Sequence, residues 1–150
     1  MQRVRTTLLS KLNLPVFAAT LLGALAVNAG MPAAADESTA YTVEVSDVSA
    51  KVGETTTLLA TLRPRDGYKI LHAYNNRVGQ LSAWDDGVAF EKKVFPAQDE
   101  DGALVFEIKV KPTSSGVHPI NGVFRVGYVE AGAGMSMISV PLKATITGTN

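Results

Sequence analysis

The stretch Leu104-Val105-Phe106-Glu107-Ile108-Lys109-Val110-Lys111 decides the fold, because its even-numbered residues are all apolar and three of its four odd-numbered residues are charged. Side chains two positions apart lie on the same face of a β-strand, so the even-numbered residues form one continuous apolar face. This pattern predicts a strand with one face in a core and the other in solvent. We expect the apolar face to pack against Val126 and Val140, which lie in other alternating segments.

The same alternation recurs along the chain. It is clear in residues 41–45, 55–62, 124–128 and 138–146, and weaker in residues 68–74, 79–84 and 88–95. Turn signals such as Asp85-Asp86-Gly87 separate these segments at intervals of about 8–12 residues, and no helical apolar stripe is present. The sequence therefore predicts an all-β fold, an immunoglobulin-like antiparallel β-sandwich of about seven or eight strands. Tyr68 and Trp84 are expected in its core, and Pro119 and Pro141 in edge or bulged strands.

The first 35 residues are typical of a secretory signal peptide. They combine a basic start (Arg3, Arg5, Lys11), an apolar run over residues 12–27 and the small residues Pro32-Ala33-Ala34-Ala35. The apolar run is short for a membrane span, which needs about 20 residues, although an uncleaved anchor is the alternative. We therefore expect residues 1–35 to be removed, leaving residues 36–150 as one periplasmic or secreted domain with no membrane span.

Composition excludes several classes of function. The chain contains no cysteine, so it forms no disulfide and performs no thiol chemistry. Removing the leader leaves a net charge of −3 without a basic stripe, which gives no support for nucleic-acid binding. Neither a Gly-x-Ser-x-Gly elbow nor a phosphate-binding glycine motif is present. We therefore expect a protein that is not an enzyme and that has no cofactor.

Two segments are candidates for a binding surface. Tyr74, Asn75, Asn76 and Arg77 combine an amphipathic aromatic ring with amide and guanidinium groups, the kinds of side chain that interfaces use. The glycine-rich turn from Glu130 to Met135 is the second segment. The leading hypothesis is a non-catalytic interaction module whose partner is another exported or periplasmic protein.

A copper-binding role is the alternative hypothesis. Met135 and Met137 would share one face of a strand, and thioethers together with an imidazole, here His118, suit cuprous ion. The competing interpretation is that both methionines fill a gap in the core or at its rim.

The order of several motifs resembles the immunoglobulin-like amino-terminal domain of the DsbD thiol–disulfide interchange family. The matching segments are Gly67-Tyr68-Lys69-Ile70, Phe106-Glu107-Ile108-Lys109-Val110, residues 116–122, Phe124-Arg125-Val126-Gly127-Tyr128 and Val140-Pro141-Leu142. The resemblance covers residues 41–146 and implies the fold and a periplasmic location. In that family two redox cysteines follow the strand that matches residues 124–128, whereas residues 128–135 here contain none. The family's redox chemistry and catalytic residues therefore do not carry over.

Overall fold

The computed structural model describes residues 40–150, so the predicted signal peptide lies outside the described residues. The described part is built from β-strands joined by turns. The strands are β1 Tyr41–Val45, β2 Val48–Lys51, β3 Thr56–Pro64, β4 Tyr68–Ile70, β5 Arg77–Ala83, β6 Val88–Phe90, β7 Phe95–Pro96, β8 Gln98–Glu100, β9 Ala103–Pro112, β10 Gly116–Glu130 and β11 Gly134–Thr149. Between Ala40 and Asn150, no helix is long and apolar enough to cross a membrane.

Two sheets form a sandwich. The five-stranded sheet has the order β1-β3-β9-β6 with β8 beside β9, and the six-stranded sheet has the order β2-β11-β10-β5-β7 with β4 beside β10. All pairs are antiparallel except β2 with β11. An order of β1-β3-β9-β6 opposite β11-β10-β5 is that of the ABED and GFC sheets of immunoglobulin domains. The predicted all-β sandwich is therefore confirmed.

The strand count is higher than predicted, because one predicted segment divides between the sheets and the short strands β2 and β8 lie outside the predicted segments. Residues 88–95 contribute β6 to one sheet and the start of β7 to the other. Residues 68–74 form only the three-residue strand β4, and the chain turns away after Ile70. The structure thus has 11 strands where the pattern predicts seven or eight.

The predicted core face of β9 is confirmed. Leu104, Phe106, Ile108 and Val110 are all buried, as are Val126 on β10 and Val140 on β11. The rings of Phe106 and Phe124 meet across the two sheets with their centroids 4.9 Å apart. Lys109, on the other face of β9, is exposed. One apolar layer between the sheets therefore holds the sandwich together.

The prediction that Trp84 lies in the core is wrong, since 77% of this residue is exposed. The cause is a β-bulge, where the pairing of β5 with β10 shifts between Asn121 and Val123. Gln80 there adopts a left-handed conformation with φ 53°. The extra residue reverses the alternation, so that Val78 and Leu81 are both buried and Trp84 points outward. Tyr68, in contrast, packs against the core as predicted.

The two prolines occupy different kinds of strand. Pro141 lies on β11 where that strand has β10 on one side and no second partner among the described strands, so its edge position is confirmed. Pro119 lies on β10, which is an interior strand, so the edge interpretation is wrong for Pro119. Its carbonyl accepts the N–H of Trp84 at the end of β5. The bulge near Asn121 places its extra residue on the neighbouring strand β5 and not on β10.

Candidate interaction surface

Gly127 of β10 lies between the predicted binding loop and Met137, a residue of the predicted methionine pair. Met137 lies opposite Gly127 on β11, and Tyr74 covers Gly127 from the outside of the sheet. A Cβ at position 127 would lie 2.7 Å from the Tyr74 Cβ, closer than real Cβ contacts allow. Only glycine lets the loop approach the strand this closely, so Gly127 determines where the loop sits.

The loop that contains Tyr74–Arg77 is held by hydrogen bonds to the same strand. The N–H of Gly127 donates to Asn76 Oδ1 at 2.8 Å, and its carbonyl accepts the N–H of Leu71 at 3.1 Å. Asn76 Nδ2 also donates to the Leu71 carbonyl at 3.2 Å. The Asn76 side chain therefore replaces a neighbouring strand at this point and orders the loop.

Arg77 is oriented by its neighbours in the loop. Its guanidinium lies 5.9 Å from the ring centroid of Tyr74, within the range of a cation–π contact. One guanidinium nitrogen, Nη1, donates to the Asn75 carbonyl at 2.8 Å. Tyr74 and Arg77 thus form one ordered unit.

The hairpin between β10 and β11 places Met135 and Glu130 on opposite sides. Met135 and Met137 are exposed on the outer side, next to Val129 and Gly127. Glu130 shares the other side with Tyr128, and its carboxylate raises the pKa of the Tyr68 hydroxyl, together with burial of that group. The structure therefore keeps Met135 in the candidate surface and removes Glu130 from it.

We call the outer surface around Gly127 the Gly127 face; it is formed by Tyr74, Arg77, Arg125, Met135 and Met137. Its charge is unlike that of the rest of the domain. Outward positions on β4, β5, β10 and β11 carry the cations Lys69, Arg77, Arg125 and Lys143, and Glu130 is the only acid in these four strands. The outer side of the other sheet mixes both signs, for example Glu107 and Lys109 on β9.

A shallow cavity of about 190 Å³ adjoins the loop on the side away from β11. Its lining includes Tyr74, Asn75 and Asn76, together with His72 and Asp99. His72 Nδ1 lies 2.9 Å from an Asp99 carboxylate oxygen. Asn75, the remaining residue of the predicted binding loop, therefore faces this cavity.

His118 and the methionine pair do not form one metal site. His118 lies opposite Ile146 near one end of the β10–β11 hairpin, whereas Met135 and Met137 lie near its other end. His118 and Gly127 are nine positions apart on one extended strand, a distance of about 30 Å at the usual rise. The proposed copper site that combined all three residues is therefore wrong. Within residues 40–150, no group of three or more His, Cys, Asp or Glu side chains could hold a metal ion.

The structure instead places His118 between Asp85, which is 33 residues away in sequence, and Ser114, which is four residues away. His118 Nδ1 lies 2.9 Å from Asp85 Oδ2, and Nε2 lies 3.0 Å from the Ser114 carbonyl and 3.4 Å from Ser114 Oγ. No motif in the sequence predicts this cluster, because its three residues come from separate turns and a strand. Gly87 makes room for it, since a Cβ there would overlap the His118 ring.

The geometry of this cluster suits a structural ion pair between His118 and Asp85 better than a serine nucleophile activated by His118. A serine nucleophile needs Nε2 as an acceptor, yet Nε2 faces the Ser114 carbonyl, which only accepts. Both ring nitrogens therefore face acceptors, as in an imidazolium. Accordingly, the Asp85 carboxylate raises the pKa of His118, and the bond to His118 lowers the pKa of Asp85. The pair ties the turn after β5 to the start of β10.

Comparison with known proteins adds no relative: no family model matches the chain, and no curated protein matches it.

Proposed function

We propose that this chain is an exported, non-catalytic interaction module, and that its Gly127 face binds another exported protein. The signal-like leader supports the location. The resemblance to the amino-terminal domain of the DsbD family supports the same compartment and fold, without that family's redox step. Because the chain has no cysteine, the partner is held by noncovalent contacts.

One observation carries the proposal, the pairing of two arginines across strands on a face with no acid. Arg77 and Arg125 lie directly opposite each other on β5 and β10. Like charges in that relation destabilise a sheet, and an outward-facing acid would relieve the repulsion. An anionic group of a partner supplies that compensation on binding, while the exposed Met135 and Met137 side chains bury apolar surface.

The experiment is capture of partners from an exported protein fraction with the purified protein, followed by identification of the bound proteins. We expect Arg77→Ala and Arg125→Ala to weaken capture of the same partner and to reduce its sensitivity to salt. Tyr74→Ala should act similarly, because Tyr74 positions the Arg77 guanidinium.

Matched controls lie on the other sheet. Arg63→Ala removes an exposed cation from β3, and Leu59→Ala removes an exposed apolar side chain from the same strand. Both variants should retain the partner. Capture that is equal in all face variants and controls would remove the Gly127 face from the function.

A further inference from the structure

We propose that the partner adds a β-strand to the six-stranded sheet along residues 135–139 of β11, and that this strand alternates acidic with apolar side chains. The inference rests on the proposed function and specifies how the partner is held beside the Gly127 face. Strand addition to an open sheet edge is a common mode of peptide recognition, in which main-chain hydrogen bonds give affinity and alternate side chains give specificity.

The backbone of β11 is oriented for strand addition. In an antiparallel ladder, alternate residues direct their N–H and C=O groups toward the partner strand, and the others direct them away. Gly127 uses its own N–H and C=O for Asn76 and Leu71, on the side away from β11. Met137, which lies opposite Gly127, therefore directs its backbone groups away from β10 as well.

Two other positions of β11 show the same orientation. Thr145 donates its N–H to Asp47 Oδ1 at 2.7 Å, on the side away from β10. Pro141, which has no N–H, occupies another odd-numbered position, where β10 needs no donor. The register is regular along the whole hairpin, so Met135 and Ser139 face the same open side as Met137.

Protection of this edge is uneven. Beyond residue 139 the edge is protected in three ways. Pro141 has no N–H to offer, Asp47 Oδ1 accepts the N–H of Thr145, and β2 pairs with residues 146–149. Residues 135–139 have no charge, proline or bulge, which are the features that usually guard a sheet edge. Among the described strands, none pairs with this segment on its open side. Met135 and Met137 flank the open edge, with 74% and 66% of each residue exposed.

Charge favours an acidic partner strand over a second copy of this chain. A strand beside Met137 would place every other side chain on the side of the sheet that carries Arg125 and Arg77. Long acidic side chains there would lie about 10 Å across the sheet from Arg125 and would offset the repulsion between Arg125 and Arg77, which lies one strand further on. In a second copy, the added strand would bring Met135 and Met137 and no acid, because its β11 contains none. A partner that alternates Glu or Asp with apolar residues therefore fits the edge best.

The test uses a short, end-capped peptide in which Glu alternates with Val, labelled for fluorescence anisotropy. Met137→Pro removes one outward N–H and leaves the hydrogen bonds to β10 intact, as the native Pro141 does, whereas Met137→Val keeps the N–H. We expect the Pro variant to bind roughly tenfold more weakly than the Val variant, the effect of losing an edge hydrogen bond, because both variants lack the Met137 side chain and only the Val variant keeps the N–H. A peptide in which Lys alternates with Val should bind more weakly.

Amide hydrogen exchange on the native protein gives a second readout that does not depend on the fold of the Pro variant. Peptide binding should slow exchange at Met135, Met137 and Ser139, and should leave Ser136 and Ile138, already bonded to β10, nearly unchanged. Exchange that is unchanged at the odd-numbered positions would overturn strand addition. Equal affinity for the Lys peptide would overturn the acidic chemistry, and a dimer abolished by Met137→Pro would identify a second copy as the occupant.

Failure of this inference is distinct from failure of the proposed function. If the Glu–Val peptide does not bind while Arg77→Ala still loses the natural partner, the Gly127 face acts without strand addition. If the peptide binds at the edge but the variants of the Gly127 face retain their partner, strand addition occurs independently of the Gly127 face. That result would overturn the proposal that the edge and the Gly127 face bind one partner.

Discussion

Replacing Phe106 with Ala should remove a large part of the stability of this domain. Phe106 is 0% exposed on β9, and its ring meets that of Phe124 from the opposite sheet at 4.9 Å. Deleting a fully buried Phe side chain costs about 3–5 kcal/mol in lost burial and in the cavity that remains. A domain of ordinary stability has only about 5–15 kcal/mol in total, so the variant should be marginally folded.

The assay is urea unfolding of the native protein and the variant, followed by circular dichroism, with the free energy of unfolding taken by linear extrapolation. Lys109→Ala on the same strand is the matched control, since its side chain is exposed, and its effect should stay within about 0.5 kcal/mol. Equal losses for Phe106→Ala and Lys109→Ala would refute the assignment of the inward face.

Three further predictions concern single contacts. The pKa of His118 is raised in the folded protein, so its pair with Asp85 contributes fully below about pH 6.5 and the contribution is lost as pH rises through the folded pKa of His118. The pKa of Asp85 is lowered in the folded protein, so the same contribution is also lost as pH falls from about 3.9 through the folded pKa of Asp85. Urea midpoints against pH should show both losses, and Asp85→Asn should remove most of the alkaline one. Gly127→Ala should destabilise by roughly 1–3 kcal/mol through overpacking against Tyr74, measured by the same unfolding curves. Tyr41→Phe should cost about 1 kcal/mol of unfolding free energy by removing the hydrogen bond from the Tyr41 hydroxyl to the Gly127 carbonyl. Burial raises the pKa of Tyr41 to about 12, so ultraviolet titration of the native protein should show one tyrosine ionising near pH 12.

Period-two alternation predicted the long strands because its two causes, burial of one strand face and solvation of the other, act on each residue locally. In β1 and β9 one face is buried and the other is solvated, so sequence and burial alternate together. Trp84 was placed wrongly because the bulge at Gln80 reverses the alternation midway along β5, and Gln80 itself gives no sequence signal for a left-handed conformation. Because glutamine rarely adopts positive φ, nothing in the sequence indicated that the buried face of β5 changes at Gln80.

The candidate site was predictable in its parts and not in its assembly. Tyr74 and Arg77 could be selected by residue type, and Met135 by its glycine-rich turn. Their meeting at Gly127 depends on pairing across strands more than 50 residues apart, as in the bond from Gly127 to Asn76. The cluster of Asp85 with His118 was missed for the same reason, since 33 residues separate the two. Sequence patterns report which face a residue takes, whereas long-range register determines which residues share a site.

Gly127 joins the stability of the core to the geometry of the surface. The Tyr41 hydroxyl, on a residue of the opposite sheet, donates to the Gly127 carbonyl at 2.7 Å, while Tyr74 packs on the outer side of the same residue. The Gly127 N–H holds Asn76, and its pairing with Met137 leaves the backbone of β11 facing the open edge. A change at Tyr41, although this residue is buried and lies outside the Gly127 face, should therefore loosen the loop as well as the fold. Partner affinity that falls in Tyr41→Phe under conditions where the protein remains fully folded would show that the surface is ordered through this carbonyl.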